Sequence, residues 1–156
     1  MRTQRRSLKI AMSPDEVDAF LDQERVCRVS TVGPDGTPRS NPLWFVWHDR
    51  QLWLYSLLGT QRWANIERHP AVSALIDAGD DYGDLRGVEL TGRVAVVGDV
   101  PRTTRPDPDV ATPERLFFRK YFGRDEPLHD GRHAWLRLVP DRVVSWDFRK
   151  RPRSAD

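Results

Sequence analysis

Three alternating runs lie so close together in the chain that only one kind of sheet can hold them. Val26–Val32 is rich in β-branched residues and alternates, and Thr37–Trp47 and Gln51–Leu58 follow it. Branched side chains crowd a helix but pack well on a pleated surface, so all three read as strands. Gly33-Pro34-Asp35-Gly36 joins the first two, and His48-Asp49-Arg50 joins the next two. A parallel pair needs a crossover of about a dozen residues or more. Turns this short therefore predict an antiparallel meander.

The remaining pattern extends that sheet. Ala71–Ala78 is an apolar run of strand length. In Arg86–Val97, Val88, Leu90, Val94 and Val96 point one way and Glu89, Thr91 and Arg93 the other. Gly92 inside this run predicts a bulge or a sharp corner. His133–Val139 and Val143–Phe148 read as the last strands, joined at Pro140-Asp141. Three helices punctuate the strands. Ser13-Pro14-Asp15-Glu16 has the form of a capping box with proline in the first helical position, and Val17, Phe20 and Leu21 share its apolar face. This helix is expected to lie across a barrel opening. Thr60–His69 is closed by Pro70. A third helix starts at Thr112-Pro113-Glu114 and stops at Gly123, after a proline-containing loop over Asp99–Val110. The predicted fold is mainly β: a split antiparallel barrel of six to seven strands with about three short helices. One domain spans residues 13–149, between a basic tail at 1–12 and a short tail at 150–156.

Composition removes several functions. With 156 residues, 31% of them charged, the chain suits a single globular domain. No apolar run approaches the roughly 20 residues of a membrane helix, and no apolar segment follows the basic N-terminus, so neither a span nor a secretory signal is read. Cys27 is alone, which leaves no internal disulfide and no cysteine-based metal cluster; a cytoplasmic setting is expected. The net charge is only +2, with arginines scattered among Asp and Glu, a poor footprint for nucleic acid. Gly-x-Gly-x-x-Gly, a Walker loop and a Gly-x-Ser-x-Gly elbow are all missing. His48, His69, His129 and His133 have no metal-ligand spacing and read as surface or turn residues. A bound cofactor would have to carry any reaction.

One constellation suits such a cofactor. In Gly59–Pro70, Thr60 is placed to cap a helix and Arg62 to sit in its first turn, where free N–H groups and the positive end of the dipole favour an anion. Ser40, Ser56, Thr60 and Arg62 are candidates to hold phosphate and ribityl oxygens. The backbone of Pro42, Leu43 and Trp44, with Asn41 and Tyr55 beside it, suits the edge of a flat heterocycle. Trp44 or Trp63 would cover its face. The competing reading makes the serines strand-surface residues and the tryptophans core or interface packing.

Five segments, in order, resemble the pyridoxamine-phosphate-oxidase-like split barrels, closest to their flavin/deazaflavin oxidoreductase branch. They are Arg28–Pro38, Pro42–Trp47, Thr60–Pro70, Val88–Val94 and Arg137–Arg149. The resemblance implies a homodimer with two cofactor sites at the subunit interface. It implies FMN or the deazaflavin F420 as cofactor, and a phosphate-side basic residue where Arg62 stands. The end of the chain, Ser145-Trp146-Asp147-Phe148-Arg149-Lys150, lacks the family's Arg-x-x-Arg-Leu-His-type substrate segment, which argues against vitamin B6 oxidation. The expected function is an oxidoreductase passing a hydride to or from a small unsaturated or carbonyl-containing molecule. No catalytic side chain is assigned; Tyr82 and solvent are both open as proton donors. The alternative is a non-catalytic protein that binds or stores a flavin, haem or tetrapyrrole.

Overall fold

Local chemistry builds the first elements as expected. The structure is a computed structural model that describes Gln4 and residues 7–151; Arg2, Arg5, Arg6 and Arg153 of the basic tails lie outside the described residues. Helix α1 (Pro14–Gln23) starts on a complete capping box: Ser13 Oγ accepts from the Glu16 N–H, and a Glu16 carboxylate oxygen accepts from the Ser13 N–H. It buries Val17, Phe20 and Leu21 in the main core, and Asp18 accepts from Trp47 Nε1 at 2.8 Å.

The described residues contain seven strands: β1 (Val26–Val32), β2 (Pro38–Trp44), β3 (Val46–His48), β4 (Gln51–Leu57), β5 (Ala71–Ala78), β6 (Arg86–Val97) and β7 (His133–Asp147). Helix α2 (Gln61–Arg68) connects β4 to β5, and α3 (Pro108–Phe122) connects β6 to β7. All pairings are antiparallel, in the order β2-β1-β5-β6-β7-β4-β3, a curled half-barrel.

The simple meander is not formed. The run expected as one strand over residues 37–47 breaks at Phe45. Its first part, β2, pairs with β1 at one edge of the sheet; its second, β3, pairs with β4 at the other. Tyr121 causes the break: its hydroxyl accepts from the Phe45 N–H at 3.0 Å and lies 2.8 Å from the Phe45 carbonyl. The backbone groups of Phe45 are thereby taken from any ladder. Pro42 fits this arrangement, because a proline is tolerated on an edge strand. β2 and β4 face each other across the split without pairing.

At the other end of the chain, two expected strands are one. The register shifts between Thr91 and Gly92, so β7 runs through Pro140-Asp141 and absorbs the extra residue as a bulge. A Cβ on Gly92 would lie 2.6 Å from the Val139 carbonyl oxygen, so only glycine admits this approach. Helix α3 starts earlier than expected, with Asp107 as its cap and Pro113 inside it.

Two apolar clusters result. One fills the barrel, with Cys27, Val29, Leu54, Ala74, Leu90 and Leu136 among its members. The other lies between α3 and the outer face of β4 and β7, around Trp53, Phe117, Phe118 and Trp135. Its polar centre is Glu114. Arg102 gives the carboxylate two N–H bonds (2.9 and 3.1 Å), and Trp135 Nε1 and His129 Nε2 approach it at 3.0 and 3.2 Å. Arg102, in the run expected as a plain loop, thus forms a buried, fully partnered ion pair with the helix.

Candidate functional site

The start of α2 forms the first half of the site. Thr60 Oγ1 accepts from the Trp63 N–H (3.2 Å) and donates to the Leu57 carbonyl (3.1 Å), which fixes the helix against the end of β4. Asn65, fully buried, donates to Thr31 Oγ1 at 3.1 Å and accepts from Gln61 Nε2 at 2.8 Å, tying α2 to β1. On that fixed turn the Arg62 guanidinium leans back to Ser56 Oγ, with Nε at 3.4 Å and Nη2 at 3.3 Å. Both bonds are at the long end for N–H···O.

No carboxylate of the described residues forms an ion pair with Arg62. The group is half-buried, and burial holds its pKa below the ordinary arginine value. The nearby Cys27 thiol supplies no counter-charge, because burial pushes it up to about 12. A desolvated cation that faces only a serine hydroxyl keeps donor capacity that an anion would satisfy better.

The second half is an aromatic cavity of about 620 Å³ over the split. Pro42, Leu43 and Trp44 of β2 line one side, Tyr55 of β4 the other, and Phe117, Phe118 and Phe122 of α3 roof it. The Trp44 ring stacks on Tyr121 with centroids 4.4 Å apart and planes 7° apart, yet stays 44% exposed. Tyr55 stacks on His133 at 4.9 Å. The Tyr55 hydroxyl is buried and makes no hydrogen bond among the described residues; burial, helped by the nearby Asp130 and Glu114 carboxylates, pushes its pKa up to about 12.

The ten expected residues therefore divide. Ser56, Thr60 and Arg62 meet at the helix start; Pro42, Leu43, Trp44 and Tyr55 meet at the cavity. Tyr55 and Ser56 are consecutive but point to opposite faces of β4, as strand geometry requires. Ser40 lies away from both, with its Oγ 2.7 Å from Ser30 Oγ on the exposed face of β2. Asn41 is half-buried on β2. Trp63 is 6% exposed within the main core, so its ring has no face for a ligand. Tyr82 packs on Phe148 at 5.0 Å and does not line the cavity. Sequence reasoning missed Asp130 and His133, which do line it. Their three-residue spacing was the available signal, but it is common in turns.

Fold and site together define a split barrel: an open antiparallel barrel whose split carries an aromatic cavity, with an arginine that pairs with no carboxylate of the described residues at the start of α2. The chain belongs to the pyridoxamine 5'-phosphate oxidase family, whose sequence profile matches residues 13–147. No curated protein matches it. Among solved structures, it resembles a conserved hypothetical protein of Mycobacterium tuberculosis, with 27% identity over 98% of this chain and 97% of that one and a TM-score of 0.79. It also resembles an F420 reductase, at 24% identity over 81% and 94% of the two chains with a TM-score of 0.58. A third similar structure is the haem storage protein HutZ of Vibrio cholerae, at 14% identity over 85% and 94% with a TM-score of 0.65. The last two likenesses are likenesses of fold.

Proposed function

We propose that the protein is an oxidoreductase that binds FMN or F420 and transfers a hydride to or from a small unsaturated or carbonyl-containing molecule. The observation that carries this reading is the half-buried Arg62 guanidinium, which has no carboxylate partner at a helix start. When bound, the cofactor supplies the two-electron chemistry. Arg62, Ser56 and the α2 turn hold its phosphate side, and the backbone of Pro42–Trp44 borders its ring. The aromatic side chains over the split position the substrate against it and limit its contact with water. Family membership supports the reading, as does likeness of fold to the F420 reductase.

The pairing proposed is with a second copy of the chain. β2 exposes Pro38, Arg39 and Ser40, and Val26 and Val32 of the neighbouring β1 stand out as exposed apolar groups. Light scattering on the purified protein would give twice the chain mass; a monomer at all concentrations would remove the shared site. Fluorescence titration with FMN and with F420 tests the cofactor. Saturable binding of one is expected, and binding of neither in the micromolar range would overturn the assignment.

The exposed Trp44 ring at the cavity favours a second reading, flavin, haem or tetrapyrrole binding without turnover. A bound cofactor that no carbonyl, quinone or tetrapyrrole can re-oxidise would favour it.

A further inference from the structure

The cavity holds a pair of groups that neither the fold nor the anion seat explains. Asp130 Oδ2 lies 2.7 Å from His133 Nδ1. A carboxylate in its ordinary ionised form can only accept, so Nδ1 carries the hydrogen. In the neutral ring Nε2 is then the basic nitrogen, and it has no protein partner among the described residues. The stack against Tyr55 fixes the plane of the imidazole. Asp130 also accepts from the Arg132 N–H at 2.9 Å, and Arg132 Nε stands 3.7 Å from the same carboxylate. Burial opposes ionisation of Asp130, but these donors and His133 hold its carboxyl below the usual range. The pair is therefore oriented from behind and accessible in front, with Asp130 and His133 both lining the cavity.

The walls state the shape of the occupant. Trp44 and Phe122 present rings 44% and 49% exposed, an unusual cost unless something flat covers them.

We propose that this cavity takes a planar aryl ligand bearing an acidic hydroxyl, and that His133 Nε2, backed by Asp130, accepts the hydroxyl proton. The ligand O–H bond breaks, an N–H bond forms, and the imidazolium is balanced by the Asp130 carboxylate; no electrons are exchanged. The phenolate oxygen is left against the imidazolium. The claim that such a ligand is a substrate rests on the oxidoreductase reading; its binding and deprotonation do not.

The test uses the full chain with no cofactor added and 4-nitrophenol as probe, whose phenolate is yellow and whose acid form is not. At a pH where the free probe is mostly protonated, saturable binding should quench tryptophan fluorescence and raise the phenolate absorbance together. His133→Phe keeps a flat ring beside Tyr55; it should still bind but lose the absorbance rise. Asp130→Asn should shrink it about tenfold, the weight of one charge-assisted hydrogen bond. 4-Nitroanisole, which has no hydroxyl proton to give, should quench without colour. No saturable quench, or an equal phenolate signal in His133→Phe, overturns the proposal. A parallel FMN or F420 titration separates this failure from that of the cofactor reading, since the cofactor's phosphate affinity depends on Arg62 and not on His133.

Discussion

Replacing Arg62 with alanine isolates the proposed phosphate seat. At present the guanidinium gives two N–H groups to one neutral hydroxyl, at 3.3 and 3.4 Å. A phosphate oxygen would convert them to charge-assisted bonds, worth about 1.5–3 kcal/mol. At about 1.4 kcal/mol per tenfold, Arg62→Ala should weaken cofactor binding about 10- to 150-fold. Folding should hardly notice. The substitution removes a cation that burial penalises and leaves no carboxylate behind unpaired, while the lost stem gives up some apolar cover. These effects oppose, so the melting midpoint should stay within about 2 °C, under 1 kcal/mol for a chain of this size. Arg62→Lys keeps the charge but not the planar fork and should fall between the two. Fluorescence titrations with FMN and F420, paired with thermal melts, give both quantities. A folded Arg62→Ala protein with parental affinity for both cofactors would refute the reasoning and place the phosphate elsewhere.

Other perturbations follow from the packing. Glu114→Ala strands the buried Arg102 and Trp135 Nε1, and losing one member of a buried ion pair costs about 3–5 kcal/mol, to be read from urea melts; a loss below about 1 kcal/mol would mean that water replaces the carboxylate. Gly87→Ala puts a Cβ 2.4 Å from the Trp146 ring and 2.9 Å from the Ile76 carbonyl oxygen, so about 1–3 kcal/mol should be lost along with a shift in indole emission. Cys27 should ignore thiol reagents in the folded protein and react only on unfolding. Because its thiol is pushed up to about 12, the unfolded chain releases that proton first, and stability should fall as pH rises above about 8.5, more steeply in the parent than in Cys27→Ala. Equal slopes in the two would sink that account.

What could be read in the sequence was what neighbours in the chain decide. The α1 capping box, the Gly92 bulge and the approach of Arg62 to Ser56, six residues apart, all depend on short spacings. What could not be read depends on distant partners. The break at Phe45 is imposed by Tyr121, 76 residues later, and no periodicity in Thr37–Trp47 announces it. Pro140-Asp141 looked like a turn because a turn and a bulge use the same residue types; only the register of β6 decides between them. Trp63 was a candidate ring cover because nothing local says which of Arg62 and Trp63 turns inward. Burial chose the indole, which leaves the guanidinium at the seat. The cavity was hidden for the same reason. Its roof is α3 and its proton-accepting pair precedes and opens β7, while its walls come from β2 and β4. Breaking the second strand is what makes this geometry: it sends β2 to one edge of the sheet and β3, paired with β4, to the other, so that β2 and β4 face each other across an open split rather than through a ladder. A continuous hairpin would have satisfied those backbone groups and closed the space in which Trp44, Tyr55 and His133 now stand. Tyr121→Phe removes the hydroxyl that enforces the break, so the cavity, more than the fold, is what that residue secures.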